Sequence, residues 1–330
     1  MSRPWGRPHP AVAAVRRAVR DVLAECAPGD LVLVACSGGA DSGALLDAAR
    51  FEGERAGVRV GAVVVDHGLR AGSADIARMV GEGVRATGLD PVEVVRVTVD
   101  GTGDGVEAAA RNARYAALDA AADRHGARVV LLGHTLDDQA EQVLLGLARG
   151  SGARSLAGMP AVRGRYRRPL LHVTREQTRA ACAAEGVEVR DDPMNDDPAF
   201  ARVRARRALA DLEADLGPGL AAALARSADR LRDDADHLDA LAAEAARPLG
   251  PGPWPAETLL DLPRAVRTRV WRHLLVTAGA PAGQLSARHV DACDRLLTAW
   301  RGQGAVHAPG DLRVSRSEGR VSIAPAPLVE

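Results

Sequence analysis

The sequence predicts an α/β protein: a doubly wound, mostly parallel sheet followed by a long helix and a small C-terminal α+β unit. Three observations carry this. Four short β-rich runs, 31–36, 58–65, 92–99 and 128–132, have the unbroken apolar character of strands covered on both faces. Helical segments long enough for right-handed crossovers separate them. After Gly217-Pro218-Gly219 the pattern becomes continuously helical, until the proline-rich stretch 248–255 must break it.

The elements follow in order. Val12, Val15, Val19, Val22 and Leu23 fall at helical spacing between Arg16, Arg17 and Arg20, which predicts an amphipathic helix over 10–26. The strand 31–36 leads into a helix over 40–54, the strand 58–65 into one over 73–87, and the strand 92–99 into one over 106–125. The strand 128–132 completes the alternation, and the domain is expected to span 1–215. Over 216–248 Leu224, Leu231 and Leu238 recur every seven residues, with Ala228, Ala235 and Leu241 at the other seam positions. So few heptads predict a helix packed on a neighbour rather than a coiled coil. Residues 249–330 read as a few helices and a β-hairpin, 312–315 with 320–323.

Composition excludes chemistry. The 330 residues suffice for two or three compact units. Forty-three basic and forty-three acidic residues cancel, so only local patches can argue for a polyanionic partner. No lysine is present, so every one of those basic residues is arginine. A P-loop lysine, a Schiff-base lysine and a lysyl-adenylate are all excluded. Cys26, Cys36, Cys182 and Cys293 lie far apart without a CxxC pair, which predicts neither a zinc knuckle nor a disulfide framework. No apolar signal core follows the first ten residues, and no run approaches the roughly 18 apolar residues of a membrane span. A cytoplasmic protein is expected. Aromatic residues are only 2%, which weakens any proposal of base-stacking platforms.

The strongest motif is the first strand running into Ser37-Gly38-Gly39-Ala40-Asp41-Ser42 and a helix. Two glycines allow close backbone approach to an oxyanion, two hydroxyls add donors, and the helix start supplies free N–H groups. Without the GK[ST] of a Walker loop, the arrangement suits ATP cleaved between its α- and β-phosphates, with Asp41 available to Mg²⁺. A capped strand-to-helix turn is the plainer alternative, and the position after the first strand of a doubly wound sheet weighs against it. The second strand ends in Asp66-His67-Gly68, where either side chain can face a nucleotide or form a satisfied loop pair. The fourth gives Gly133-His134-Thr135-Leu136-Asp137-Asp138-Gln139-Ala140-Glu141. A helix starting near Leu136 puts Asp137, Asp138 and Glu141 on one face, and close carboxylates call for Mg²⁺ or an ammonium among them. Acids favoured by the helix dipole in a solvated turn would look the same. Arg111 and Arg114 share a helical face after Glu107. Six arginines against one acid over 163–179, and Arg202, Arg204, Arg206 and Arg207 beyond, suggest a polyanion or plain surface charge.

In order, SGGADS, VDHGLR, ARNARY, LGHTLDDQAEQ and ARGSG resemble the N-type PP-loop ATP pyrophosphatases, of the adenine nucleotide alpha hydrolase-like fold. Within that superfamily ARGSGARSLAGMP, RRPLL, the segment from Asp192 through Asn195 to Asp197 with Phe200, and LARSADRLRDDADHLD resemble the tRNA(Ile)-lysidine synthetases. The likeness covers about 30–245 well and the C-terminal hairpin more loosely. It departs from that family's pattern at Met194, Val203 and Leu209–Ala210, and the chain is short for it. The resemblance implies ATP-dependent attachment of free L-lysine to carbon-2 of the wobble cytidine in the CAU anticodon of tRNA(Ile), through an adenylated RNA. It implies an ATP site of Ser37, Gly38, Gly39, Ala40, Asp41, Ser42, Asp66, His67, Gly133 and His134, with Mg²⁺ on Asp41. Lysine would meet Asp137, Asp138 and Glu141. Asp41, Asp137, Arg111 and Arg114 would be catalytic, and Arg168, Arg202, Arg204 and Arg206 would hold tRNA. A homodimer is compatible, a membrane is not expected, and residues 249–330 are expected to recognise tRNA.

Three rivals remain at this point. A tRNA thiolase of the same superfamily would need cysteines near the site. A small-molecule amidating synthetase would turn over ATP without RNA. A non-catalytic RNA-binding protein on a decayed PP-loop would bind RNA regardless of ATP.

Overall fold

In the computed structural model, residues 7–68, 72–99, 105–150, 152–190 and 197–326 are described. Leu69, Arg70, Ser151, Asp192, Met194 and Asn195 of the motifs above lie outside them. The chain divides into two compact units: residues 1–151 with 155–228, and residues 229–330 with 152–154.

In the first unit α1 (Pro10–Leu23) precedes β1 (Leu31–Ala35), α2 (Ala40–Ala56), β2 (Arg59–Asp66), α3 (Ser73–Ala86), β3 (Val92–Arg96), α4 (Gly105–His125) and β4 (Val129–Leu132). Then come α5 (Leu136–Ala148), α6 (Ala153–Leu156), the short strands β5 (Val162–Arg163) and β6 (Tyr166–Arg167), α7 (Arg175–Glu185), α8 (Ala201–Leu216) and the long α9 (Leu220–Ala246). The sheet order is β3-β2-β1-β4-β6-β5, parallel throughout except for the β5–β6 hairpin at its edge. β1 therefore pairs with β2 on one side and β4 on the other. Their carboxyl ends flank the point where the winding reverses, the place for a ligand in such a sheet.

Helices cover both faces. α1, α2, α3 and α7 bury one with Val15, Val19, Leu45, Val80 and Cys182, and α4 buries the other with Leu118, Ala121 and Ala122 against Leu33 and Val130. The polar side of α1 is also tied down, since Arg20 grips Glu52 through two bonds of 2.9 and 2.8 Å.

The alternation of strands and helices holds, with two differences. β3 stops at Arg96 instead of continuing to 99, because Val97 makes a last hydrogen bond to Asp66 at the end of β2 and the chain has no partner strand beyond it. The β5–β6 hairpin was not foreseen, because two-residue strands show no alternation to read.

The second unit holds most of α9, β7 (Trp254–Pro255), α10 (Ala256–Leu260), α11 (Arg264–Thr277), α12 (Ala287–Thr298), β8 (Val306–Ala308), β9 (Leu312–Ser317) and β10 (Arg320–Pro325). The foreseen hairpin is β9–β10, extended to an antiparallel sheet of order β7-β10-β9-β8. Trp271, Leu275, Leu296, Val314 and Val321 fill its core, and a buried pair, Arg267 to Asp294 at 2.7 and 3.2 Å, joins α11 to α12.

Gly61 in β2 has no room for a side chain: a Cβ there would lie 2.5 Å from the carbonyl oxygen of Pro91 and 2.9 Å from Leu33 Cδ2. Gly61→Ala is expected to lower unfolding free energy by about 2 kcal/mol, the cost of overpacking a core that backbone closes off. A urea unfolding midpoint equal to that of the parent would contradict this.

Candidate functional site

β1 is apolar to its end, so the first polar groups after it fall at the rim of the sheet. There the loop 37–42 closes on itself. Ser37 N–H donates to Ser42 Oγ at 3.1 Å, and that hydroxyl donates to the carbonyl of Gly39 at 3.0 Å. Gly38 takes φ of +85°, and a Cβ there would meet Val80 Cγ2 at 2.8 Å. Gly39 caps α2 without a side-chain hydrogen bond, so the N–H groups of the first turn stay open to an anion. Gly133 lies at the end of β4 because a Cβ there would come within 3.2 Å of the Asp41 and Ser42 backbone. It thus brings the fourth strand against the loop.

α5 begins one residue past Thr135, whose hydroxyl and N–H form a reciprocal box with Asp138. The three acids predicted to share a face do so, and they meet Asp41 from α2. What gathers them is Arg175, the first residue of α7. Its Nη2 donates to Asp138 Oδ1 at 3.1 Å and Glu141 Oε1 at 3.3 Å, its Nε lies 3.8 Å from Asp41 Oδ2, and its backbone N–H donates to Asp137 Oδ2 at 2.7 Å. Thr178, one turn on, donates to Asp41. Arg206 from α8 donates to Glu141 Oε1 at 2.9 Å. Glu141 is only 2% exposed, and its second oxygen, Oε2, is buried without a partner.

The electrostatics divide these acids. Burial raises the Asp41 carboxyl above its ordinary value, helped by the charges of Asp138 and Asp137 and opposed by Thr178 and Arg175. At Asp138 burial acts in the same direction, but Arg175 and the N–H of Thr135 outweigh it and the carboxyl is held low. Asp138 therefore stays ionised as a fixed counter-charge.

Asp66 and His67 end β2, and His134 follows β4. Asp66 Oδ1 accepts from Gly68 N–H at 2.9 Å, while Asp66 Oδ2, His67 Nδ1 and His134 Nδ1 are buried without hydrogen bonds. Burial, and next the charge of Arg114, push His67 below the usual imidazole value; burial does the same more strongly at His134. Both rings are neutral near pH 7 and available as hydrogen-bond partners.

The arginines separate. Arg111, Arg114 and Arg168 gather around Tyr115, whose hydroxyl accepts from Arg168 Nη2 at 3.0 Å and Arg111 Nη2 at 3.4 Å. Arg168 is 3% exposed and also donates to the carbonyl of Pro160. The Nε atoms of Arg114 and Arg168 are buried without partners. Burial, followed among its causes by neighbouring positive charge that includes Arg202, lowers the affinity of Arg111 and Arg114 for their protons. Among the described residues Arg111, Arg114 and Arg168 have no carboxylate partner. Arg204, by contrast, donates to the Pro198 and Ala199 carbonyls of the segment leading into its own helix, and Arg206 faces the acid pocket. In the run 163–179, Arg165 pairs with Asp119 and Asp123 and Arg167 with Glu25. Val203 and Leu209, the departures from the family pattern that are described, are buried on α8 as packing residues.

Sequence reasoning missed Arg175, Thr178 and Tyr115. The box Thr174-Arg175-Glu176-Gln177 marked a helix start, and both of its reciprocal bonds form, but nothing in the sequence aimed that start at the acids.

Residues 12–213 match the family model of the PP-loop domain and residues 255–322 that of the TilS substrate binding domain. The chain is 54% identical to tRNA(Ile)-lysidine synthase of Streptomyces coelicolor, over 96% of this chain and 99% of the relative. It is 55% identical to the enzyme of that name from Thermobifida fusca, over 96% and 98%. Among solved structures, the U34-tRNA thiolase NcsA from Methanococcus maripaludis with its [4Fe-4S] cluster superposes with a TM-score of 0.54, at 18% identity, covering 67% of this chain and 79% of that one. That likeness is one of fold.

Arg175→Met removes the cation and keeps the stem. Asp41 and Asp138 then hold folded-state values above their unfolded ones, the native state binds more protons, and stability falls as pH rises. The variant is expected to lose about 3 kcal/mol near pH 7.5, as when one partner of a buried pair is removed, and less near pH 5.5. Urea unfolding at the two pH values reads the difference; a loss independent of pH would mean that Arg175 acts by packing alone.

Proposed function

The chain belongs to the tRNA(Ile)-lysidine synthases, and from that premise we propose that it joins the ε-amine of free lysine to carbon-2 of the wobble cytidine of a CAU anticodon, with Asp138 and Glu141 receiving the amine. The observation that carries this is Glu141 Oε2, a buried carboxylate oxygen with no partner beside the pyrophosphate loop. An ionised carboxylate in that position favours a cationic donor. Asp138, kept ionised, is the second anchor.

The loop 37–42 holds the β- and γ-phosphates of ATP as pyrophosphate, on the hydroxyl of Ser37 and the open N–H groups of α2, while the Ser42 hydroxyl, donated to Gly39, keeps the loop in shape. His67, His134 and Asp66 line the ends of the neighbouring strands toward the nucleotide. Mg²⁺ fits this donor set: Asp41 is a single carboxylate beside a phosphate cradle, and that ion usually takes one or two carboxylates with phosphate oxygens completing its shell. When bound, it neutralises phosphate charge. The cytidine O2 attacks the α-phosphate and pyrophosphate leaves. The lysine amine, ordinarily protonated with a pKa of about 10.4, passes a proton to a carboxylate of the acid pocket and attacks carbon-2, and the bond from carbon-2 to the adenylated oxygen breaks as AMP departs. Arg111 and Arg114, without carboxylate partners among the described residues, are placed to take the phosphate charge as it develops. Residues 249–330 serve tRNA recognition, supported by the match of 255–322, with 216–248 as the linking helix. The place of action is that of tRNA, the cytoplasm.

The thiolase reading finds no support in the thiols. All four cysteines are free; burial raises Cys36 and Cys26 and pushes Cys182 up to about 11 and Cys293 up to about 12. Such thiols are poor nucleophiles near neutral pH. Among the described residues no helix is long and apolar enough to cross a membrane.

Labelled lysine is expected to enter a CAU transcript with ATP and Mg²⁺, and to enter none when the wobble cytidine is replaced; ATP cleavage without incorporation would defeat the reading. Asp41→Asn is expected to abolish pyrophosphate release while RNA binding stays within a few-fold. Glu141→Gln is expected to raise the KM for lysine about thirtyfold, roughly 2 kcal/mol for losing a buried charged partner, with the KM for ATP unchanged. An unchanged lysine KM would remove Glu141 from the lysine site.

A further inference from the structure

The loop and the acid pocket leave a cleft of about 410 Å³ without a role. It lies between α4 and the β5–β6 hairpin, with Arg111, Asn112, Tyr115 and Asp119 on one wall and residues 163–166 on the other. Its volume is in the range of small-ligand pockets. Its only acid, Asp119, is answered by Arg165 of the hairpin at 3.7 Å. Arg163 is different. It is exposed, has no carboxylate partner among the described residues, and holds its guanidinium 5.7 Å from the Tyr115 ring centre. Arg111 stands 5.2 Å from the same ring.

The floor is stiff. Tyr166 meets Tyr115 edge-on, with ring centres 4.9 Å apart at 81°, and donates its hydroxyl to the Tyr115 carbonyl at 3.2 Å. The Tyr115 hydroxyl is fixed by two arginines. The cleft therefore presents uncompensated guanidinium groups on a fixed aromatic support, which is what a phosphodiester and an unstacked base require: bidentate donors for the phosphate and flat cationic surfaces for the base. Through Tyr115 it is continuous with Arg114, the residue whose charge acts on His67 and His134 at the strand ends.

We propose that this cleft seats the nucleotide adjoining the target cytidine in the single-stranded loop, with Arg163 gripping the intervening phosphate. The proposal rests on the reading that RNA enters the PP-loop site. It assigns the hairpin, which the family motifs include only at Arg167, to holding the RNA backbone in register.

The test is equilibrium binding of a fluorescent stem-loop RNA with a CAU loop over a salt series. Arg163→Ala is expected to weaken binding about tenfold and to reduce the salt slope by about one, as for loss of one phosphate contact. Arg128→Ala, at a residue whose guanidinium lies 3.4 Å from Asp30 and does not line the cleft, is expected to stay within about twofold, since it faces no proposed contact. Replacing each phosphate flanking the cytidine in turn by an uncharged methylphosphonate should locate one that weakens the parent protein and has no further effect on Arg163→Ala. Arg163→Gln repeats the measurement if the alanine variant folds poorly. Binding by both variants within twofold of the parent, or losses that add, would overturn the cleft. If the parent forms no lysidine but the Arg163–phosphate coupling appears, the catalytic reading fails and the RNA cleft stands; lysidine formation without that coupling leaves the catalytic reading and removes the cleft.

Discussion

Four carboxylates converge on one arginine, three on its guanidinium and Asp137 on its backbone N–H, and the architecture of the site follows from that. Asp41 comes from the first turn of α2, Asp137, Asp138 and Glu141 from the start of α5, and Arg175 from the start of α7. Without a cation among them these acids would repel in surroundings that burial has already made costly for charge. The arrangement therefore fixes the approach of three helices to one another. It also leaves one oxygen of Glu141 unmatched, where a further positive group gains a buried partner without displacing an existing bond.

The opposite charge is gathered around Tyr115. Arg111, Arg114 and Arg168 crowd one phenol with no acid to answer them among the described residues, an arrangement that favours phosphate as strongly as the other pocket favours an amine. One region suits a cationic group and the other an anionic one. The absence of lysine from all 330 residues adds a chemical consequence. No side-chain amine of this sequence competes with free lysine for an activated cytidine, and arginine, which stays protonated, does every cationic task instead.

Much of the site was legible because backbone constraints write themselves into sequence. The glycines of the loop 37–42, Gly133 and the acids at helical spacing after Thr135 are local solutions to local problems: a turn, a close approach, a capped helix start. The length of β3 was less legible, since apolar residues continue past Arg96 while the neighbouring strand does not. The role of Arg175 was not legible at all. In the sequence it is one arginine of six in a basic run, and only the packing of α7 against α1 and α2 turns it inward. Arg168 and Arg206 read as surface cations by the same rule, yet one is buried under Tyr115 and the other faces Glu141.

The sequence by itself determined the alternation of strands and helices, the phosphate-binding turn, the acids that share a face of α5, and the exclusion of every lysine-based mechanism. These depend on periodicity, turn chemistry and composition, all of which act over a few residues. Tertiary structure decided which arginine meets which anion. Charge pairing between residues 34 to 65 positions apart, such as Arg175 or Arg206 with Glu141, has no local signature. It is set by where the sheet order places the helix ends, and there an identical side chain becomes a counter-ion, a donor to loop carbonyls or a guanidinium without a carboxylate partner among the described residues.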